Sequence, residues 1–169
     1  NSVEAVAFLG NLVASASADD SIRLWDPLGG NCHRTIAAGA KGLYSLAVAA
    51  TGECLAAGGK DGTIREFSTG DGRARRTLSG HRGYVRSLVY GPDGRLYSSA
   101  DDGTIRVWEE TGDEARAVFQ GHRGGVLGLA LSADGRFLAS GGRDGTVRLW
   151  NTRTATPLWV QPSHDSWVT

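Results

Sequence analysis

The chain of 169 residues contains no methionine and only two cysteines, Cys32 and Cys54. Two cysteines can close one disulfide at most, so a disulfide-stapled scaffold is excluded. We expect two free, buried thiols in a reducing compartment, which implies an intracellular, cytoplasmic location. A natural reading frame begins with methionine, so we expect that Asn1 is not the start of the natural protein.

The sequence also lacks long apolar runs and an excess of charge of either sign. The apolar stretches are too short to span a bilayer, so we expect no membrane insertion. The 18 Lys and Arg residues balance 18 Asp and Glu residues. A net charge of zero gives no general attraction to polyanions, and we expect no nucleic-acid partner.

Motifs that bind metals or cofactors are missing as well. No Cys/His cluster has zinc spacing, and the Asp101-Asp102-Gly103 segment lacks the ligand series of a calcium loop. The chain has no phosphate loop and no dinucleotide fingerprint. We therefore expect neither a metal ion nor a cofactor.

What the sequence does contain is a repeat. One segment recurs four times, with its aspartates spaced by 42, 41 and 42 residues, at 19–25 (DDSIRLW), 61–67 (DGTIREF), 102–108 (DGTIRVW) and 144–150 (DGTVRLW). A second marker keeps this phase, as Gly39-Ala40, Gly80-His81, Gly121-His122 and Ser163-His164. A fixed period of this length is typical of stacked supersecondary units.

Each unit has the pattern of four short strands. In the third unit, strands are predicted at 85–90, 96–100, 104–108 and 115–119, with turn signals at 91–94, 102–103 and 110–113. The third of these strands is rich in β-branched and aromatic residues. No stretch sustains a helical period, so the chain is predicted to be all-β.

These in-phase segments, the Gly-His pairs and the closing Trp25-Asp26 pair resemble the WD-repeat family. The resemblance covers essentially the whole chain, although the closing pair drifts to Phe67-Ser68, Trp108-Glu109 and Trp150-Asn151. It implies a β-propeller with four consecutive four-stranded antiparallel blades, in a larger ring of about seven blades. The blades are expected at residues 1–38, 39–79, 80–120 and 121–162, and residues 163–169 would start a following blade.

Histidine, serine and aspartate recur in the third and fourth units, a set that could suggest a hydrolase. The resemblance implies instead a structural hydrogen-bonded tetrad inside each blade, and a nucleophile needs one site with an oxyanion hole rather than a copy per repeat. The implied tetrads are His81, Ser98, Asp102 and Trp108, and His122, Ser140, Asp144 and Trp150. Blade 1 has no histidine at this position, and blade 2 has Ala40, Ala57 and Phe67. We expect these two blades to be less tightly held.

An arginine recurs in every third strand, as Arg23, Arg65, Arg106 and Arg148. This set could form a basic stripe for phosphates. Acidic residues are interspersed with it, so we favour a solvated position or one at the blade edge.

The function that we favour is a non-catalytic scaffold or adaptor that mediates protein–protein interactions within a multiprotein complex. The alternative is a regulatory or sensor region attached to a separate catalytic domain outside this chain. The resemblance implies docking on the face that bears the His loops and Asp turns, with Lys41 and Asp101 nearby. The expected protein-binding residues are Lys60, Arg82, Tyr84, Arg123, Arg143 and Trp167, since Arg, Tyr and Trp are frequent interface anchors.

Four blades of a larger ring leave two apolar blade faces to be covered. Val3 and Val168 share the repeat phase of Val85 and Val126, so the repeat series is cut at a blade boundary. We expect further blades to cover these faces, from the rest of a longer protein, which we favour, or from a second copy. The 169-residue chain is then not expected to be a stable closed monomer.

Overall fold

The structure, a computed structural model, describes residues 1–162 and 167–169. Across these residues the chain forms four separate sheets, and each sheet has four antiparallel strands in sequence order. The prediction of an all-β chain built from four-stranded antiparallel blades is confirmed. We number the sheets blade 1 to blade 4 in chain order.

The strands follow one another without helices among the described residues. Blade 1 has β1 (Val3–Leu9), β2 (Leu12–Ser17), β3 (Ser21–Trp25) and β4 (Cys32–Ala37). Blade 2 has β5 (Leu43–Val48), β6 (Cys54–Gly59), β7 (Ile64–Ser68) and β8 (Ala74–Leu78). Blade 3 has β9 (Val85–Tyr90), β10 (Leu96–Ala100), β11 (Ile105–Trp108) and β12 (Ala115–Phe119). Blade 4 has β13 (Val126–Leu131), β14 (Phe137–Gly142), β15 (Thr146–Asn151) and β16 (Thr156–Pro162).

A tight turn joins the second strand of each blade to the third. The residue after the repeat aspartate has a positive φ, of 78° at Gly62, 78° at Gly103 and 71° at Gly145. Glycine adopts this conformation without steric penalty. Asp20 stands at this position in blade 1 and still has a φ of 72°, since aspartate tolerates the left-handed region better than most residues. All four turns therefore have a common backbone shape.

The hydrophobic core lies between neighbouring blades. Strand β5 packs on β1 and β2, β9 on β5 and β6, and β13 on β9 and β10. Glycines permit the close approach, because a Cβ at Gly58 would lie 2.6 Å from Val85 Cγ1 and a Cβ at Gly141 would lie 2.5 Å from Val168 Cγ1. Val168 therefore packs on blade 4 as Val85 packs on blade 2.

The predicted start of a following blade at 163–169 is only partly described. Ser163 and His164 lie outside the described residues, as do 165 and 166. Residues 167–169 form no strand, but the Val168 N–H donates to the Gly142 carbonyl at 3.1 Å.

Blade 1 and blade 4 expose large apolar side chains. On β1, Ala5 and Ala7 pack against the core shared with blade 2, so the alternating residues Val6 and Phe8 face the other side. Val6 is 68% exposed and Phe8 is 79% exposed. On β16, Trp159 is also exposed. Both ends of the row of blades thus carry apolar surface.

The two cysteines differ in their surroundings. Both are free, but only Cys54 is buried, and the expectation of a buried thiol is wrong for Cys32. Cys32 opens β4, the outermost strand of its sheet, so no further strand covers it. Burial raises the pKa of the Cys54 thiol. In the described part of the chain, no helix is long and apolar enough to cross a membrane.

Candidate functional site

Two sets of loops meet at one end of the blades. The connections between blades, at residues 38–42, 79–84 and 120–125, lie beside the turns that join second and third strands. Backbone hydrogen bonds link the two sets, from Lys60 N–H to the Gly42 carbonyl at 3.0 Å and from Asp101 N–H to the Tyr84 carbonyl at 3.1 Å. We refer to this end as the His–Asp end.

In blade 3 the structure brings together the four residues of the implied tetrad. The Trp108 indole N–H donates to Ser98 Oγ at 2.8 Å, and the Ser98 hydroxyl donates to His81 Nε2 at 2.8 Å. His81 Nδ1–H then donates to the Asp102 carboxylate at 3.0 Å. This direction follows because the Asp102 carboxylate can only accept, which places the proton of a neutral imidazole on Nδ1 and leaves Nε2 to accept from Ser98. Asp102 also accepts the Arg82 backbone N–H at 2.9 Å, which fixes the loop before β9.

Blade 4 repeats the arrangement. Trp150 donates to Ser140 at 2.8 Å, Ser140 to His122 at 2.8 Å, and His122 to Asp144 at 3.0 Å. Burial would raise the pKa of Asp144, but hydrogen bonds from the Arg123 N–H and from His122 outweigh it and hold the pKa well below its usual range. Burial lowers the pKa of His122 more than Asp144 raises it, so the imidazole is neutral at pH 7.

The serines of these tetrads are poorly placed for catalysis. Ser98 is 0% exposed and Ser140 is 3% exposed. Each serine oxygen already accepts a tryptophan N–H, whereas a nucleophile must reach a substrate carbonyl. The described residues also contain no group of three or more His, Cys, Asp or Glu that could hold a metal ion. The tetrads satisfy buried polar groups and thereby stabilise the blades.

Blades 1 and 2 depart from the tetrad in different ways. Blade 1 keeps one bond, from Trp25 Nε1–H to Ser15 Oγ at 2.9 Å, while in blade 2 a buried Phe67 replaces the tryptophan. Asp20 instead accepts the Ala40 N–H at 2.7 Å and ties the blade 1 turn to the loop that enters blade 2. The sequence signals this contact, because the first unit has Asp-Asp where the others have Asp-Gly.

A polar cluster that the sequence analysis missed joins blades 2 and 3. Glu66 is only 4% exposed. It accepts Arg76 Nε at 2.5 Å and the Tyr90 hydroxyl at 2.8 Å. Arg76 Nη1 donates in turn to the Gly112 carbonyl at 2.6 Å. The signal was a carboxylate at a position where the next unit has Val107.

The recurrent arginines of the third strands do not form a free cationic stripe. Arg23 is exposed, whereas Arg65, Arg106 and Arg148 are half-buried rather than solvated. Three of them pair with the aspartate of their own blade, Arg65 with Asp61 at 2.9 Å, Arg148 with Asp144 at 3.7 Å and Arg23 with Asp19 at 3.7 Å. The positive charges of these three arginines are therefore paired within their own blades.

Two expected protein-binding residues, Lys60 and Tyr84, are linked at the His–Asp end through the Tyr44 ring. The Tyr84 ring, 38% exposed, stacks on Tyr44 with centroids 5.1 Å apart. The Arg86 guanidinium lies 4.9 Å from the Tyr84 ring and donates to both oxygens of Asp101, at 2.9 and 2.6 Å. Lys60 Nζ lies 5.4 Å from the Tyr44 ring. Neither Tyr44 nor Arg86 was among the expected residues.

The contacts continue into blade 4. Arg143 lies 3.3 Å from the Asp101 carboxylate and 5.0 Å from the Trp167 ring, which is 61% exposed. These contacts form one aromatic–cation network that extends over blades 2, 3 and 4. The other two expected residues, Arg82 and Arg123, have exposed side chains directly after the tetrad histidines. They lie at the same end of the blades as the network.

The four units match a known family over most of the chain. The WD domain, G-beta repeat family matches residues 1–26, 30–68, 72–109 and 114–151. The chain belongs to the WD-repeat family. Each WD repeat after the first combines the fourth strand of one blade with the first three strands of the next. Consecutive blades are therefore joined by shared repeats as well as by packing.

Relatives of this WD-repeat chain carry different names. It is 31% identical, over 99% of its length, to the nuclear distribution protein PAC1 of Coccidioides posadasii, of which it covers 33%. It is 29% identical, over 95% of its length, to protein tipD of Dictyostelium discoideum, of which it covers 26%. It is 32% identical, over 92% of its length, to the ribosome biogenesis protein WDR12 homolog of Nematostella vectensis, of which it covers 29%. The chain thus spans a third or less of each.

Proposed function

We propose that this WD-repeat chain acts as a non-catalytic adaptor that docks other proteins at its His–Asp end, within a multiprotein complex. The observation that carries the proposal is the aromatic–cation network. It holds the exposed rings of Tyr84 and Trp167 on a surface that extends over three blades. Tyrosine, tryptophan and arginine dominate binding energy when an interface buries them.

The blades provide the rigidity that such a surface needs. The tetrad carboxylates Asp102 and Asp144 hold the backbones of Arg82 and Arg123 at 2.9 Å. Side chains on loops that a scaffold fixes lose less conformational entropy when they bind a partner. The tetrad serines are buried, and each is hydrogen-bonded to both a tryptophan and a histidine, which supports a role without catalysis.

The names of the relatives support a binding module rather than one shared reaction. They refer to nuclear distribution in one case and to ribosome biogenesis in another. A set of blades that recurs in proteins with such different names is well explained if the blades provide a docking platform whose surface residues select the partner.

The docking surface can be tested by comparing captured proteins. Proteins bound to the wild-type protein in cell extract are quantified by mass spectrometry beside those bound to a Tyr84→Ala, Trp167→Ala double variant. We expect the double variant to lose bound proteins. The matched control is Leu28→Ala, since Leu28 is 98% exposed in the turn between β3 and β4 at the opposite end. Equal retention by the double variant and the control would contradict the proposal.

We also propose that further blades cover blade 1 and blade 4, supplied by the rest of a longer protein or by a second copy. The exposed Phe8 and Trp159 support this, since apolar patches of this kind usually mark an interface. A ring of about seven blades remains our expectation, as do blade boundaries at 1–38, 39–79, 80–120 and 121–162.

A further inference from the structure

Acidic and basic groups at the His–Asp end differ in whether they have a partner, although the chain as a whole has no net charge. Every aspartate in the turns between second and third strands has a cationic partner or an N–H donor within the described residues. The partners are Arg23 for Asp19, the Ala40 N–H for Asp20, Arg65 for Asp61, Arg86 and Arg143 for Asp101, His81 for Asp102, and His122 for Asp144. Each of these carboxylates therefore already has a partner within the described residues.

Four cations in the loops and turns at the same end lack such a partner. In the described part of the chain, no carboxylate lies within 4.0 Å of Lys41, Lys60, Arg82 or Arg123. Lys41, Arg82 and Arg123 are spaced by 41 residues. They occupy the same repeat position at the entry to blades 2, 3 and 4, and all three are exposed. They form a row of available positive charge beside Tyr84.

We propose that the His–Asp end recognises an acidic segment of a partner protein, whose carboxylates pair with the row formed by Lys41, Arg82 and Arg123. This inference rests on the proposed adaptor function and names the chemistry of its partner. An apolar side chain of the same segment packs against Tyr84 or Trp167, the exposed rings of the network. Complementary charge of this kind steers association and selects the partner.

A single-stranded nucleic acid would also be attracted to cations, but it fits this surface less well. Bases bind by stacking on free aromatic rings. Here Tyr44 and Arg86 lie against Tyr84, and Arg143 lies over Trp167, so a base would compete with these contacts, whereas an apolar side chain needs only the exposed parts of the rings. A row of three cations also offers few of the phosphate contacts from which nucleic-acid affinity mainly comes. The observations therefore favour an acidic polypeptide.

The test measures binding of three fluorescent probes to the whole protein by anisotropy. The probes are a glutamate-rich peptide with one central phenylalanine, the same peptide with glutamine for glutamate, and oligouridylate of equal length. We expect only the glutamate peptide to bind, and more weakly as salt rises. Arg82→Glu with Arg123→Glu should weaken that binding by about tenfold or more. The control, Arg73→Glu with Arg153→Glu, reverses two exposed cations at the opposite end and should leave binding within about twofold.

The possible outcomes separate this inference from the adaptor proposal. Equal binding of the glutamine peptide, preference for oligouridylate, or unchanged binding by the reversed variant would overturn the acidic-segment inference. If reversal disturbs the melting curve, the Arg82→Gln, Arg123→Gln variant takes its place and should still weaken binding. If the reversed variant retains, in extract, bound proteins that the Tyr84→Ala, Trp167→Ala variant loses, that result would support the adaptor function and contradict the acidic-segment inference.

Discussion

Replacing Asp144 by alanine should destabilise the protein more than the same change at Asp61. Asp144 accepts His122 Nδ1–H at 3.0 Å and the Arg123 N–H at 2.9 Å, and the His122 side chain is only 1% exposed. Without the carboxylate this buried N–H keeps only the Thr146 hydroxyl, at 3.3 Å, as a weaker acceptor, and the loss costs about 1–3 kcal/mol. Taking about 2 kcal/mol, and about 2–4 °C per kcal/mol for a chain of this size, the Tm should fall by about 4–8 °C.

Asp61 provides the matched control, because it occupies the same turn without a histidine. It accepts the Thr63 N–H at 3.0 Å and pairs with Arg65 at 2.9 Å. Its side chain is 22% exposed, against 9% for Asp144. A pair of this exposure contributes about 0.5 kcal/mol, so the Tm of Asp61→Ala should fall by about 1–2 °C. Circular dichroism melts at pH 7 decide the matter, and equal Tm losses in the two variants would refute the reasoning.

Other predictions concern pH, reactivity, the blade 2 cluster and assembly. The folded-state pKa values of His122 and of the tetrad aspartates are depressed, so the unfolded state takes up protons first as the pH falls. The free energy of unfolding should therefore be highest above pH ~6.5 and fall towards pH ~4 and below. Urea midpoints that do not change over this range would contradict this prediction. Serine-directed covalent probes should leave Ser98 and Ser140 unlabelled in intact-mass spectra, and stoichiometric labelling would show accessible nucleophiles. Arg76→Ala should lower stability by about 3 kcal/mol because it leaves a buried carboxylate unpaired, whereas Arg73→Ala, at a side chain 88% exposed, should have little effect in the same urea titration. The isolated chain should associate in size-exclusion chromatography with light scattering, and a sharp soluble species near 17.8 kDa would contradict this.

Strand positions could be predicted closely from the sequence because the repeat fixes them. In the third unit the predicted strands 85–90, 96–100 and 115–119 coincide with β9, β10 and β12. The predicted strand 104–108 begins one residue later, at Ile105. Thr104 remains in the turn because its N–H and its hydroxyl both donate to Asp102, at 2.9 and 2.7 Å. Such side-chain bonds compete with the strand ladder at its end.

Contacts between blades were harder to predict, since a repeat alignment shows equivalent positions and not neighbouring ones. Tyr44 and Arg86 lie in different blades and meet only because β9 packs on β5. Glu66 was visible as a departure from the apolar pattern. Its partner Tyr90 belongs to the next blade and carries no sequence signal of its own. Residues that bridge blades were therefore not predictable from the sequence, whereas residues that repeat within blades were.

Site-specific photo-crosslinking tests the adaptor function most directly. A benzophenone-bearing phenylalanine is placed at Tyr84, in the aromatic–cation network, and in a parallel sample at Leu28, which is exposed at the opposite end. After irradiation in cell extract, we expect covalent adducts with other proteins from position 84 and few or none from position 28. Adducts in equal amounts from both positions, or from position 28 alone, would contradict a docking surface at the His–Asp end.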